Sequence, residues 1–411
     1  MKKLIVLIVI VALQSSYLRA SDYFTLGGFK YEIISGDCIR ISSAFEDSTF
    51  ILGNPVAEIV IPSVVSHNGT KYTVKEIQGE VFGINNDIRK IVIEDGIEKI
   101  DRYAFAGCLS LESISIPASV TKIEESIFYG CDNLREIKVD KDNPRYDSRD
   151  NCNAIIISKP NTLIEGCYTT VIPGTVRYID GNAFNCCNRL TKLVIPEGVE
   201  ELGRGAVRNC QNLKSVYISS TVNEILDNVF GGCSNLTEIV VDANNKQYDS
   251  RDNSNGIFCD DELVLACAGT TIPKSVKRID RNPFINISSV LYIPEGIEEI
   301  GETAFRGQEN IKMVILPKSL KSIGYGVFEG CRNLKVVGFA GSLEEIPMTM
   351  FRNCSKLESI NIPLGVTKID KEAFMGCTNL KSIVLPSTVK ELGKDAFRNA
   401  PCEEEVIRLV K

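Results

Sequence analysis

The chain has 411 residues, 44% hydrophobic and 24% charged, with 46 Lys and Arg against 53 Asp and Glu. That balance excludes a disordered polymer, and the net negative charge argues against nucleic acid as a partner. One His and no Trp leave little material for His-based catalysis or a His-rich metal site.

Met1-Lys2-Lys3 is a cationic start, Leu4 to Leu13 is apolar, and Gln14 to Ala20 turns polar. The apolar run is shorter than the ~20 residues a spanning helix needs, and its layout is that of a secretory signal over 1–20, cleaved after Ala20. No later segment is apolar enough to span a membrane, so a secreted or cell-surface address is expected. Residues 21–75 read as an N-terminal β cap. Phe29–Ile33 and Cys38–Ile41 flank Ser35-Gly36-Asp37, a hairpin that would close the open end of a core.

From 76 to 400 a 23-residue period takes over. Phe82, Phe105 and Phe128 are spaced by 23, as are Phe184, Val207 and Phe230, and then Phe305, Phe328, Phe351, Phe374 and Phe397. Leu111-Glu112-Ser113-Ile114-Ser115-Ile116-Pro117 shows the unit's opening: inward aliphatics on a short strand, then a Pro that cannot donate to a continuing ladder. A second inward pair follows, and Ala-Phe starts a compact turn or a single helical turn. One unit cannot bury its own apolar set, but stacked units share a continuous core, which is the logic of a solenoid. The expected fold is an α/β-type repeat solenoid with short parallel strands on a concave face.

Two intervals are long, 56 residues from Phe128 to Phe184 and 54 from Phe230 to Phe284. Tyr146-Asp147-Ser148-Arg149-Asp150-Asn151 in the first recurs as Tyr248-Asp249-Ser250-Arg251-Asp252-Asn253 in the second. Each opens an insert, at about 140–170 and 242–270, that reads as a hairpin decorating a coil. Residues 401–411, with Glu403, Glu404 and Glu405, read as a polar C-terminal cap.

Ala104-Phe105-Ala106-Gly107-Cys108-Leu109-Ser110-Leu111, the Tyr146–Ile155 insert and the entry at Asn68–Ile77 together resemble the BspA-type leucine-rich repeat family of exported and surface proteins. The resemblance covers nearly the whole chain after residue 20. It implies a curved solenoid and, for some members, adhesion to host matrix proteins or other cells. It carries no ligand over, because exposed positions vary. No separate C-terminal anchoring domain is expected.

Eight of the fifteen Cys fall three residues after the repeat Phe: Cys108, Cys131, Cys187, Cys210, Cys233, Cys331, Cys354 and Cys377. No C-x-x-C and no zinc spacing occurs. Rungs ~4.8 Å apart would permit disulfides, but parallel inward side chains point their Cβ vectors wrongly, so buried free thiols are expected. Cys152 and Cys167 bracket the first hairpin, and pairing Ile157 with Leu163 places them nearly opposite. A disulfide or close thiol contact is predicted there.

In L-x-x-I-x-I-P the residue between the two aliphatics should point outward. Its middle stretch is apolar: Val171, Val194, Tyr217, Val240, Tyr292 and Ile315, interrupted by Thr271. Strand propensity alone accounts for such residues. The functional reading is a binding strip with two Tyr anchors. The Asp residues at the insert entries, from Asp140 to Asp150 and from Asp242 to Asp252, lack EF-hand order, and turn chemistry explains them more simply than calcium. His67, beside Asn68-Gly69, reads as an exposed loop residue. No G-x-S-x-G, H-E-x-x-H or P-loop appears. The expectation is therefore a monomeric, non-enzymatic module without metal or cofactor. Its partner would be a protein of host matrix or cell surface, with a glycan as the alternative.

Overall fold

The computed structural model describes residues 23–44 and 58–410, apart from 84, 268, 282, 286 and 287. The predicted signal segment lies outside the described residues. Each 23-residue coil contributes two strands to two parallel ladders. A strand of three or four residues, such as Lys90–Ile93, Ser113–Ile116 and Glu136–Val139, forms the long ladder. A two-residue strand, such as Lys99–Ile100 and Lys122–Ile123, forms the short one. Alternation puts Ile91 and Ile93, or Ile114 and Ile116, inside and their neighbours outside.

The Ala-Phe turn makes the third side, and it is not helical. In each fully described turn two residues adopt left-handed φ, for example Thr349 at 54° with Asn353 at 61°, and Glu372 at 56° with Gly376 at 76°. A right-handed helix cannot accommodate them. The fold is therefore mostly β rather than α/β, and the only α-helix among the described residues is the terminal one, Glu403–Val410. There Val406 is buried against the last coil, and Glu403, Glu404 and Glu405 occupy the first turn, where the helix dipole favours acids.

The repeat Phe residues are buried, Phe284 only partly, and from Phe284 to Phe397 they stack ring on ring at 4.8–5.7 Å. Each such pair contributes about 1 kcal/mol beyond its buried area. Turn amides also run along the axis. Those of the residue two before Phe, the Phe itself and the residue two after donate to the next coil. Gly205, Val207 and Asn209 thus bond Asp227, Val229 and Gly231 carbonyls, and Phe351 bonds Ala373.

Two further ladders explain recurring side chains. The column Cys thiol sits within 3.0–3.1 Å of the Phe-column carbonyl of the preceding coil, as in Cys131 to Phe105, Cys331 to Phe305 and Cys377 to Phe351. Burial pushes the Cys108, Cys331 and Cys377 thiols up to about 12, which keeps them protonated and unreactive. Asn133, Asn235, Asn333 and Asn379 each donate Nδ2 to a carbonyl one coil back, at 2.6–2.8 Å. Rung-to-rung ion pairs such as Arg89–Glu112 and Arg102–Glu125 lie on the surface and add little to stability.

The core is not continuous. Three apolar clusters divide it, and the divisions fall at the inserts. The hairpin Ala154–Ile157 with Thr162–Gly166 lies within the stack, and Thr162–Gly166 pairs in parallel with Tyr178–Ile179 to found the next short ladder. Gly256–Cys259 with Glu262–Ala266 repeats this through Arg278–Ile279. Successive residues therefore serve different cores: Ile155 packs on the coils before it and Ile156 on those after it. The inserts are internal walls rather than decorations. The N-terminal hairpin of Phe29–Ser35 with Cys38–Ala44 has the same build, since Cys38–Ala44 pairs in parallel with Thr70–Ile77.

The insert signature ends the stack behind it. Tyr146 Oη accepts the Ile123 amide at 3.0 Å, closing the short ladder, and Ser148 Oγ accepts the Val139 amide at 3.0 Å, closing the long one. Tyr248 and Ser250 do the same for Ile225 and Val241, at 3.3 and 3.0 Å. At the first wall the turn side is closed too. Glu165, fully buried, accepts the Ile127 amide at 2.9 Å, and the Ser126 and Phe128 amides also donate to it. Burial pushes its carboxyl up to about 8 against the pull of those amides.

Cys152 and Cys167 are both unbridged. The register differs by one residue from the predicted one: a bulge sets Ile156, not Ile157, opposite Leu163. That shift lies toward the hairpin turn. Toward the cysteines Ala154 still faces Gly166 and Ile155 faces Glu165, which sets Cys167 beside Asn153, its Sγ 3.4 Å from the Asn153 carbonyl. Cys152 and Cys167 are thus one residue out of step and face different cores, Cys167 with the coils before the wall and Cys152 with those after it.

Candidate interaction surface

The outward column of the long ladder is built by strand alternation. Its aliphatic neighbours are pinned inside, so the residue between them must face out. Register brings Val194, Tyr217 and Val240 side by side, and separately Tyr292, Ile315 and Gly338. Val194 is 46% exposed, Val240 40% and Tyr292 62%, whereas Tyr217 and Ile315 are half-buried. Val171 is 74% exposed but lies outside any strand, where the first wall rejoins the coils. Two apolar patches result rather than one strip, because the second wall stands between Val240 and Tyr292.

The two tyrosines differ in chemistry. Tyr217 Oη donates to Asp242 Oδ2 at 2.5 Å, which holds the ring and raises the phenol above its usual range. Asp242 also accepts the Asn244 amide at 2.8 Å. Tyr292 has no such partner among the described residues, so its ring and hydroxyl both face solvent.

The acidic insert entries are committed to local partners. Asp147 holds Arg149 and accepts Ser158 Oγ at 2.6 Å, Asp249 pairs with Arg251, and Asp140 accepts the Asp142 amide at 2.9 Å. Among the described residues no group of three or more His, Cys, Asp and Glu is placed to hold a metal ion. His67 ends the strand Val64–His67 with its ring stacked 4.3 Å from Phe24, so it is a half-buried part of the cap rather than a free loop residue. No helix among the described residues is long and apolar enough to cross a membrane.

The sequence matches the model of the BspA type leucine rich repeat region over residues 64–165, 161–290 and 277–403. No curated protein matches it. Among solved structures, a leucine rich cell surface protein from Faecalibacterium prausnitzii is 24% identical. The alignment covers 93% of this chain and 94% of that one, with a TM-score of 0.45. A leucine-rich repeat protein from Bacteroides ovatus is 21% identical over 92% of each chain, with a TM-score of 0.40. The pneumococcal vaccine antigen PcpA is 15% identical over 94% of this chain and 95% of its own, with a TM-score of 0.38.

Proposed function

The chain belongs to the BspA-type leucine-rich repeat family, and from that premise we propose that it is a non-enzymatic protein-interaction module, exported and displayed outside the cell. Repeat scaffolds of this kind present extended surfaces to protein partners. The observation that carries the reading is the exposed apolar pair of patches on the long ladder, Val194–Tyr217–Val240 and Tyr292–Ile315. Exposed apolar area on a polar solenoid marks a contact surface, and an aromatic with a free face is the commonest anchor. The partner we assign is a host matrix or cell-surface protein. A glycan is the weaker alternative, because the Tyr217 hydroxyl is already occupied by Asp242 and Tyr292 stands alone as a stacking platform.

Binding to immobilised matrix proteins, measured beside a glycan array, tests this. Tyr292→Ser together with Val194→Ser should weaken protein binding by about 2 kcal/mol, roughly thirtyfold, with an unchanged unfolding midpoint. Equal affinity of variant and parent, or binding confined to the glycan array, overturns it.

A further inference from the structure

The second wall leaves open what the first one closes. Aligned on their cysteines, Cys167 and Cys267, the two hairpins put Leu265 where the first has Glu165. In complete coils the amides two before, at and two after the Phe donate to the next coil; at the first wall Glu165 instead receives the amides of Ser126, Ile127 and Phe128. At the second wall the corresponding donors are Asn228, Val229 and Phe230, and none of these three amides has an acceptor among the described residues.

Asn228 and Phe230 line a cavity of about 630 Å³, whereas the space around Glu165 is about 20 Å³. Four arginines, Arg204, Arg208, Arg281 and Arg306, line the same cavity, with Asp227, which pairs with Arg204, as the only acid among the described residues. Arg208 forms no ion pair among the described residues; Arg281 and Arg306 are held at the rim by Glu302 and Glu329. Unpaired backbone N–H groups aimed into a cleft, with guanidinium groups around them, form an anion site.

We propose that the junction between the Phe230 turn and the second insert binds a carboxylate, received by the amides that Glu165 satisfies at the first insert and by the guanidinium groups of Arg208 and Arg281. The choice of ligand follows from the internal precedent, since the equivalent turn one wall earlier is closed by a carboxyl group, and the arginines lining the second cavity favour the ionised form of such a group there. The site lies on the turn side, away from the outward column of the long ladder, and does not rest on the reading of that column.

Titration calorimetry at fixed ionic strength, with succinate, inorganic phosphate and an end-blocked Glu-Glu dipeptide as probes, tests the proposal. Succinate or the dipeptide should bind saturably at one site, and whichever is tighter tells whether the carboxylate belongs to a small acid or to a peptide. Arg208→Gln with Arg281→Gln should weaken that binding roughly tenfold or more. Both residues are exposed, so this variant should fold as the parent does. Leu265→Glu, which copies the first wall, should abolish binding and protect the Phe230 amide from hydrogen exchange. No saturable carboxylate binding, tighter binding of phosphate, or equal affinity in the double Gln variant overturns the assignment.

Discussion

The two walls begin alike and finish differently. Both open on Tyr-Asp-Ser-Arg-Asp-Asn, pass through a short 3-10 turn at Arg149–Asn151 or Arg251–Asn253, and use Tyr and Ser oxygens to terminate the two strand ladders behind them. On the third side one wall supplies a carboxylate and the other a leucine. A side chain can thus stand in for part of a missing coil, by offering an acceptor to amides on the turn it covers. Where it offers none, a polar cleft opens in an otherwise closed stack.

The largest effect expected from breaking this contrast is at Glu165. Glu165→Ala leaves three buried amides unsatisfied and should cost about 3 kcal/mol. Hydrogen exchange should show it as lost protection at Ser126 to Phe128, with the coils beyond Phe284 unchanged. Unaltered exchange there would mean that the carboxyl does not hold the turn.

A pH series sharpens the same point. The Glu165 carboxyl is raised from 4.5 to about 8 by burial, so the folded chain holds a proton that the unfolded chain has released. The stability it contributes is complete below about 4.5 and is lost as pH rises toward about 8. Urea unfolding of the first two segments should therefore weaken from pH 5 to pH 8, and Glu165→Gln should flatten that slope. A slope unchanged by the substitution would assign the effect to other groups.

The smallest effect is at the start of the hairpins, where Cys152 of the first wall is matched by Ser254 of the second. Ser254 is fully buried and its hydroxyl has no hydrogen-bond partner among the described residues. Ser254→Ala should stabilise the second wall by about 1 kcal/mol, and Cys152→Ser should destabilise the first by a similar amount, both read from denaturation midpoints.

Much of the fold was legible because it is periodic. The Phe and Cys columns, the inward aliphatics and the strand-ending prolines repeat often enough that one physical reading serves every coil. The turn was less legible, since its left-handed residues are as varied as Tyr103, Ser126, Thr303 and Glu372, which announce nothing by composition. The Asn ladder was visible as a recurring Asn-Leu pair, as in Asn235-Leu236 and Asn379-Leu380, but its use is a contact between coils that spacing alone does not specify. Glu165 was hidden for the opposite reason: it occurs once, in an apolar run where an acid reads as an outward residue. The candidate surface followed from strand alternation, whereas its division into two patches depended on recognising the inserts as walls. Cys152 and Cys167 were misread as opposite because they are one residue out of step across the hairpin, and strand alternation sends such neighbours to opposite cores.

The walls also bear on how a chain of this kind grows. Each carries its own lid for the coils it follows and its own founding strand for the coils it precedes. A stretch from one Tyr-Asp-Ser-Arg-Asp-Asn to the next is therefore a self-contained cassette, and copying or deleting it whole keeps both strand ladders terminated at either seam. Length, and with it the reach of the molecule, becomes adjustable in large steps without redesigning either end.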